Sequence, residues 1–253
     1  MNDRIPDAIT NIIFDLDGTL VHERLHLVNF IDQHFKALGM EFTKAQLKES
    51  GTWFHKFWER PDTFARDMAC RSLEDDVAFW LDYLTYYHAY LGTGQTVVET
   101  ILPQLARSIA SREHHVSVKQ GTESTLSTLK EQGYTLGVLS NRYNPIDKVL
   151  QAYGLDAYFS FAYTAGELGA AKPDTAIFDE FAARAGISLE ESVYVGDNYW
   201  LDALASRRAG MTPILLDVYG WYEDPEIITI ATLPELLQYV PANVYRGNAR
   251  TCC

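Results

Sequence analysis

Two carboxylates two positions apart, Asp15 and Asp17, open the short run Asp15-Leu16-Asp17-Gly18-Thr19. They follow the apolar stretch Ile9 to Phe14, which reads as a short buried strand. Asp15 therefore falls at a strand's C-terminal end, where parallel α/β sheets collect their ligands. Side chains alternate along a strand, so Asp15 and Asp17 are expected on one side. Carboxylates that close repel unless a positive charge stands between them. A hard divalent cation such as Mg²⁺, which prefers oxygen ligands, meets that need. Gly18 lets the backbone turn directly afterwards.

The rest of the chain supplies the elements that must position these groups. Leu27, Phe30, Ile31, Phe35 and Leu38 form one helical stripe, ended by Gly39. Thr43 with Gln46, and Ser72 with Asp75, read as capping boxes opening two more helices, the second running to Gly92. Pro103 marks the first turn of a fourth. No strand is predicted between Val21 and His114, so this block is expected to be helical. From Val116 onward the character changes. A helix Glu123–Glu131 precedes a strand Thr135–Leu139 that ends at Ser140 and Asn141. Asn144-Pro145 is expected to cap the next helix, and Tyr158–Tyr163 reads as a weaker strand. Lys172-Pro173 precedes a helix from Thr175 that stops at Gly186. Strand Ser192–Val195 leads into Gly196-Asp197, with a helix Tyr199–Ala209 and a strand Pro213–Leu216 behind it.

Such alternation implies crossover units and a parallel sheet. The first strand needs neighbours to bury it. The predicted architecture is thus an α/β, Rossmann-like doubly wound core of residues 1–20 and 116–253, with an α-helical insertion at 21–115.

Bulk properties narrow the function. A chain of 253 residues with 47% hydrophobic content can bury a large core. A net charge of −13 argues against nucleic acid or an anionic membrane as partner. It does not exclude a phosphate ligand, since one cation reverses the local field. Cys70, Cys252 and Cys253 form neither a disulfide framework nor a zinc spacing, which points to a reducing, cytoplasmic compartment. No apolar run approaches the ~20 residues of a membrane span, and Met1 to Asp7 carries no signal pattern. Cys252-Cys253 does not fit a C-a-a-X box, and 246–253 reads as a frayed tail.

In chain order, the chemical groups are Asp-x-Asp-Gly-Thr, a strand-end Ser140, Lys172-Pro173, and Gly196-Asp197 with Asp202 five residues later. This order resembles the haloacid dehalogenase superfamily of phosphohydrolases, over all four motifs and the alternating region. The resemblance implies an aspartyl-phosphate mechanism in a Mg²⁺-dependent phosphatase of a small phosphorylated metabolite. Asp15 would be the nucleophile, and Asp17 the general acid and base. Lys172 would offset charge, and Ser140 would bond a phosphate oxygen, with Asn141 and Thr19 as further phosphate contacts. Asp197 and Asp202 would hold Mg²⁺ together with Asp15 and the Asp17 backbone carbonyl. The helical block would be the family's cap, closing over substrate. Asp17 also sets the chain apart from the dehalogenases, whose halide leaving group needs no proton.

Two rival readings share the scaffold: a sugar-phosphate mutase, and a binding protein without turnover. A phosphonate hydrolase needs a cap lysine; Lys36, Lys44, Lys48 and Lys56 are present, and nothing marks one out. The cap aromatics from Trp53 to Tyr90 are expected mainly to pack its core. His22, Glu23 and Arg24 read as a solvated loop, and His114-His115 as linker. Arg142 departs from the smaller residues common there, as an anion contact or a surface charge. The oligomeric state is open between monomer and homodimer.

Overall fold

The computed structural model describes residues 5–23, 27–60, 63, 65–66, 72–91, 97–111, 116–224 and 226–241. Arg24, Cys70, Gly92, His114, His115 and the 246–253 tail lie outside the described residues. The chain divides into two compact units, Met1–His22 with Val118–Cys253, and Glu23–Ser117.

The first unit is built on a six-stranded parallel sheet. Its strands are β1 (Asn11–Phe14), β4 (Thr135–Ser140), β5 (Phe161–Thr164), β6 (Ser192–Gly196), β7 (Thr212–Leu216) and β8 (Ile228–Ile230). The spatial order is β5-β4-β1-β6-β7-β8. Helices Thr122–Glu131, Asp147–Ala152, Ala165–Leu168, Ala176–Ala185 and Ala205–Arg208 alternate with the strands. β1 is buried throughout, as a strand covered on both faces must be. It pairs with β4 on one side and β6 on the other, Phe14 lying opposite Val138 and Val195. The strand order reverses direction beside β1, which makes its C-terminal end the switch point of the sheet. β2 (Val21–Glu23) and β3 (Val116–Val118) form a separate two-stranded sheet, where the chain passes between the units.

The second unit holds helices α1 (Leu27–Ala37), α2 (Lys44–Phe57), α3 (Leu73–Leu91) and α4 (Leu102–Ser111). Both predicted capping boxes form. Gln46 N–H donates to the Thr43 hydroxyl and Thr43 N–H donates to Gln46. Ser72 and Asp75 exchange the same pair of bonds. The core of this unit is aromatic: Phe35, Phe57, Phe79, Tyr83 and Tyr87 are buried, and Trp53, Phe54, Trp58 and Trp80 pack against them. Tyr86 is the departure, exposed beneath the Arg60 guanidinium at 4.4 Å. None of the described helices is long and apolar enough to cross a membrane.

Several elements differ from the sequence reading. β2 lies in a stretch read as strandless, because three residues carry no usable periodicity and pair only through distant β3. The helix at Pro103 begins earlier, as a π-helical turn Val97–Ile101 that runs into Leu102–Ser111. A second π-helical turn, Tyr199–Leu204, opens the helix that carries Asp202. Asn144 does not cap its helix; Ile146 holds that position and makes no side-chain cap. Residues Asp156–Tyr158 turn as a 3₁₀ helix, so β5 starts only at Phe161. β8 was not foreseen; it is short, and one residue in three is exposed.

His88 is buried against Phe35, ring centroids 5.0 Å apart. Burial pushes its imidazole down from 6.5 to about 4. A base whose folded pKa is depressed binds its proton first in the unfolded chain, so acid favours unfolding. The helical unit is expected to lose stability as pH falls from about 6.5 toward about 4. In His88→Phe, urea midpoints measured across that range should flatten.

Candidate active site

Three neighbouring strands end side by side and deliver most of the predicted groups. β1 ends at Phe14 and presents Asp15; β4 ends in Ser140; β6 ends in Gly196, followed by Asp197. Lys172 arrives from the loop after β5, and Asp202 from the π-helical turn after β6.

Lys172 is the centre of this cluster. Its ammonium is buried and donates to Asp15 Oδ1 at 2.7 Å, Asp202 Oδ1 at 2.6 Å and the Tyr194 phenol oxygen at 2.9 Å. Tyr194 O–H in turn donates to the Leu139 carbonyl at 2.8 Å. Carboxylate oxygens of Asp15, Asp197 and Asp202 lie within 4.8 Å of one another. One ammonium for three carboxylates leaves an excess of negative charge. Burial pushes Asp15 well above the usual carboxylate range; Lys172 opposes this, while Asp202, Asp197 and Asp17 add to it. Burial, then the Asp202 charge, pushes Asp197 up to about 7. Burial works against the Lys172 charge, yet Asp15 and Asp202 outweigh it and hold its pKa well above the ordinary lysine value. Burial dominates the two carboxyl shifts, and the crowded negative charge adds to it.

That crowded negative charge, and a donor set made only of oxygen, fit a hard divalent cation. Opposite ligands of a Mg²⁺ octahedron lie about 4.2 Å apart, within the span of this trio. Asp15, Asp197 and Asp202 are the residues that would hold it.

Two glycines make the cluster sterically possible. Gly18 has φ +82°, and a Cβ there would collide with the Asp197 carboxylate. A Cβ on Gly196 would collide with the Asp202 carboxylate. Asp202 is fixed further by Asn198 N–H, which donates to its Oδ2 at 2.8 Å.

The other predicted residues lie around this group. The Asp17 carboxylate lies outside the group formed by Asp15, Asp197 and Asp202. It is half-exposed and held by Arg142, whose Nε and Nη2 donate to Oδ2 and Oδ1 at 2.8 and 2.6 Å. Strand alternation stops at Phe14, so it does not carry Asp17 to the face of Asp15. Thr19 is buried and donates to Asp197 Oδ1 at 3.3 Å, supporting a carboxylate. Asn141 instead clamps the Lys172 backbone: its Nδ2 donates to Lys172 O at 2.9 Å and its Oδ1 accepts from Lys172 N at 2.8 Å. The Ser140 hydroxyl is buried and accepts from Arg142 N–H at 3.2 Å.

Sequence reasoning missed two members. Tyr194 sits inside an apolar strand and reads as core. Lys119 follows β3 and is mostly buried; burial lowers its pKa, while Asp197 and Asp15 pull the other way. Arg142, read as an anion contact or a surface charge, is partly exposed and holds the Asp17 carboxylate.

A family model described as haloacid dehalogenase-like hydrolase matches residues 9–210. The chain belongs to that family. This hydrolase is 25% identical over 207 residues to haloacid dehalogenase-like hydrolase domain-containing protein 3 of Danio rerio, across 81% of this chain and 84% of the relative. It is 28% identical over 215 residues to a phosphoglycolate phosphatase of Pasteurella multocida, across 82% and 85%. A solved 2-haloacid dehalogenase from Pseudomonas syringae pv. Tomato DC3000 shares the fold, with a TM-score of 0.52 at 22% identity, over 91% of this chain and 97% of that one.

Removing one partner of a buried ion pair leaves an uncompensated charge. Lys172→Met in this hydrolase should therefore destabilise the metal-free protein by ~3–5 kcal/mol, read by urea denaturation. Tyr194→Phe removes the bond from the ammonium and the bond to the Leu139 carbonyl, and should cost ~2–3 kcal/mol in the same assay.

Proposed function

We propose that this hydrolase is a Mg²⁺-dependent phosphatase of a small phosphorylated metabolite, working through an aspartyl-phosphate. The observation that carries this reading is the grouping of Asp15, Asp197 and Asp202 around Lys172 at the sheet's switch point, with Asp17 two residues beyond Asp15. Asp15 attacks phosphorus, which splits hydrolysis into two easier steps. The Lys172 ammonium, 2.7 Å from Asp15, offsets charge as nucleophile and phosphoryl group approach. Ser140 accepts from Arg142 and keeps its O–H to donate to a phosphoryl oxygen. Asp17 gives a proton to the leaving alkoxide, then takes one from the water that attacks the intermediate. Mg²⁺ supplies Lewis-acid charge and a template for in-line transfer when bound.

The phosphatase relative from Pasteurella multocida supports phosphorus as the reacting centre. The dehalogenase likeness concerns the fold, and Asp17 favours a leaving group that needs a proton. The helical unit is proposed to serve as the cap. Cysteine usage and charge are the grounds for a cytoplasmic enzyme acting on a small molecule.

The test is hydrolysis of an aryl phosphate by the purified protein. Turnover should require Mg²⁺ and disappear with EDTA. Asp15→Asn should abolish it, and Asp17→Asn should lower kcat by ~10²–10⁴-fold. Beryllofluoride with Mg²⁺ should bind wild type and fail to bind Asp15→Asn. Turnover that persists in Asp15→Asn would refute the mechanism.

A further inference from the structure

Arg142 occupies a position that the mechanism does not use. Its backbone is fixed: the N–H donates to Ser140 Oγ at 3.2 Å and the carbonyl accepts from Gly166 N–H at 3.2 Å. Gly166 lies so close to this segment that a Cβ there would collide with the Tyr143 carbonyl. The long side chain is what can move. Its guanidinium takes both oxygens of Asp17, in the two-donor geometry that a planar guanidinium offers to a carboxylate.

This arrangement conflicts with the work assigned to Asp17. A bidentate guanidinium takes one lone pair on each Asp17 oxygen and leaves fewer directions from which a proton can be given or taken. The pair is accessible, with side-chain exposures of 35% for Arg142 and 50% for Asp17. The guanidinium is therefore open to an incoming anion that can compete with Asp17 for the same two donors.

The substrate supplies the new partner. The leaving oxygen must come within hydrogen-bond reach of Asp17. The carbon on that oxygen, and what it bears, then passes beside the group already touching Asp17. A carboxylate one or two carbons from the ester oxygen presents the same two acceptors that Asp17 presents now. A neutral substituent presents none.

We propose, resting on the phosphatase reading, that Arg142 is a specificity-determining residue that selects phosphorylated hydroxy acids. Its guanidinium passes from Asp17 to the substrate's carboxylate. The same exchange frees Asp17 for proton transfer, so binding the acid group and arming the catalytic carboxylate are one event.

The experiment compares matched substrates: phosphoglycolate with ethyl phosphate, and 3-phosphooxypropionate with propyl phosphate. Each pair differs by a carboxylate in place of a methyl group. Wild type should favour an acid-bearing member by ~10–100-fold in kcat/KM, the range of one charge-assisted contact. Arg142→Gln should bring that ratio to within about threefold of one, mainly through KM of the acid substrate. Arg142→Lys keeps the charge without the planar fork and should give an intermediate ratio. Thermal midpoints of both variants check folding. A wild-type ratio near one in both pairs, or a ratio unchanged in Arg142→Gln, would overturn the proposal while aryl phosphate hydrolysis left the phosphatase reading standing. Failure of wild type to hydrolyse aryl phosphate with Mg²⁺ would instead bring down that reading, and this proposal with it.

Discussion

One buried ammonium among three carboxylates governs this structure. Lys172 is the point at which β1, β6 and the loop after β5 are tied together, through Asp15, Tyr194 and Asp202. Burying charge is costly, and it is tolerated only where partners and hydrogen bonds answer it. Here the answer is incomplete by design of the stoichiometry. Burial, with the surplus negative charge behind it, raises the carboxyl groups, and the neighbouring carboxylates tighten the lysine's hold on its proton. A site that is electrostatically short of a cation will favour any ligand that brings one.

Close approach is the second condition. Carboxylates from two strands meet only because Gly18 and Gly196 leave room for them. Supporting bonds then fix each group from behind. Thr19 holds Asp197, Asn198 holds Asp202, and Asn141 holds the Lys172 backbone. Rigid backing of this kind keeps reacting groups in place without reorganisation. Asp17 lies outside this shell, on a half-exposed partner, in keeping with the proton-transfer role proposed for it.

Much of this was legible before any coordinates. Apolar runs Ile9–Phe14 and Ser192–Val195 announced central strands, because a strand buried on both faces is apolar throughout. Thr43–Gln46 and Ser72–Asp75 announced helix starts through purely local bonds. What escaped depends on partners distant in the chain. Three-residue β2 exists only by pairing with β3. Tyr194 reads as core until Lys172 is seen against it, and Asn141 reads as a phosphate ligand until its amide is seen on a backbone 31 residues away. The Asp17–Arg142 pair spans 125 positions, and no local pattern encodes it.

The placement of β1 also bears on how the molecule is made. This strand is central in the sheet, yet it is synthesised first and pairs with β6, Asn11 lying opposite Ser192. At ~5–20 residues per second, a ribosome takes ~10–35 s to cover the interval between those partners. For that time a four-residue, almost wholly apolar segment is without the neighbour that completes its burial. Contacts of such sequence separation form slowly and late. The helical insertion, whose contacts are local, can fold while the β1 segment waits. Transient shielding of the nascent β1, by a chaperone or by the ribosome surface, thus becomes part of what this topology demands of a cell.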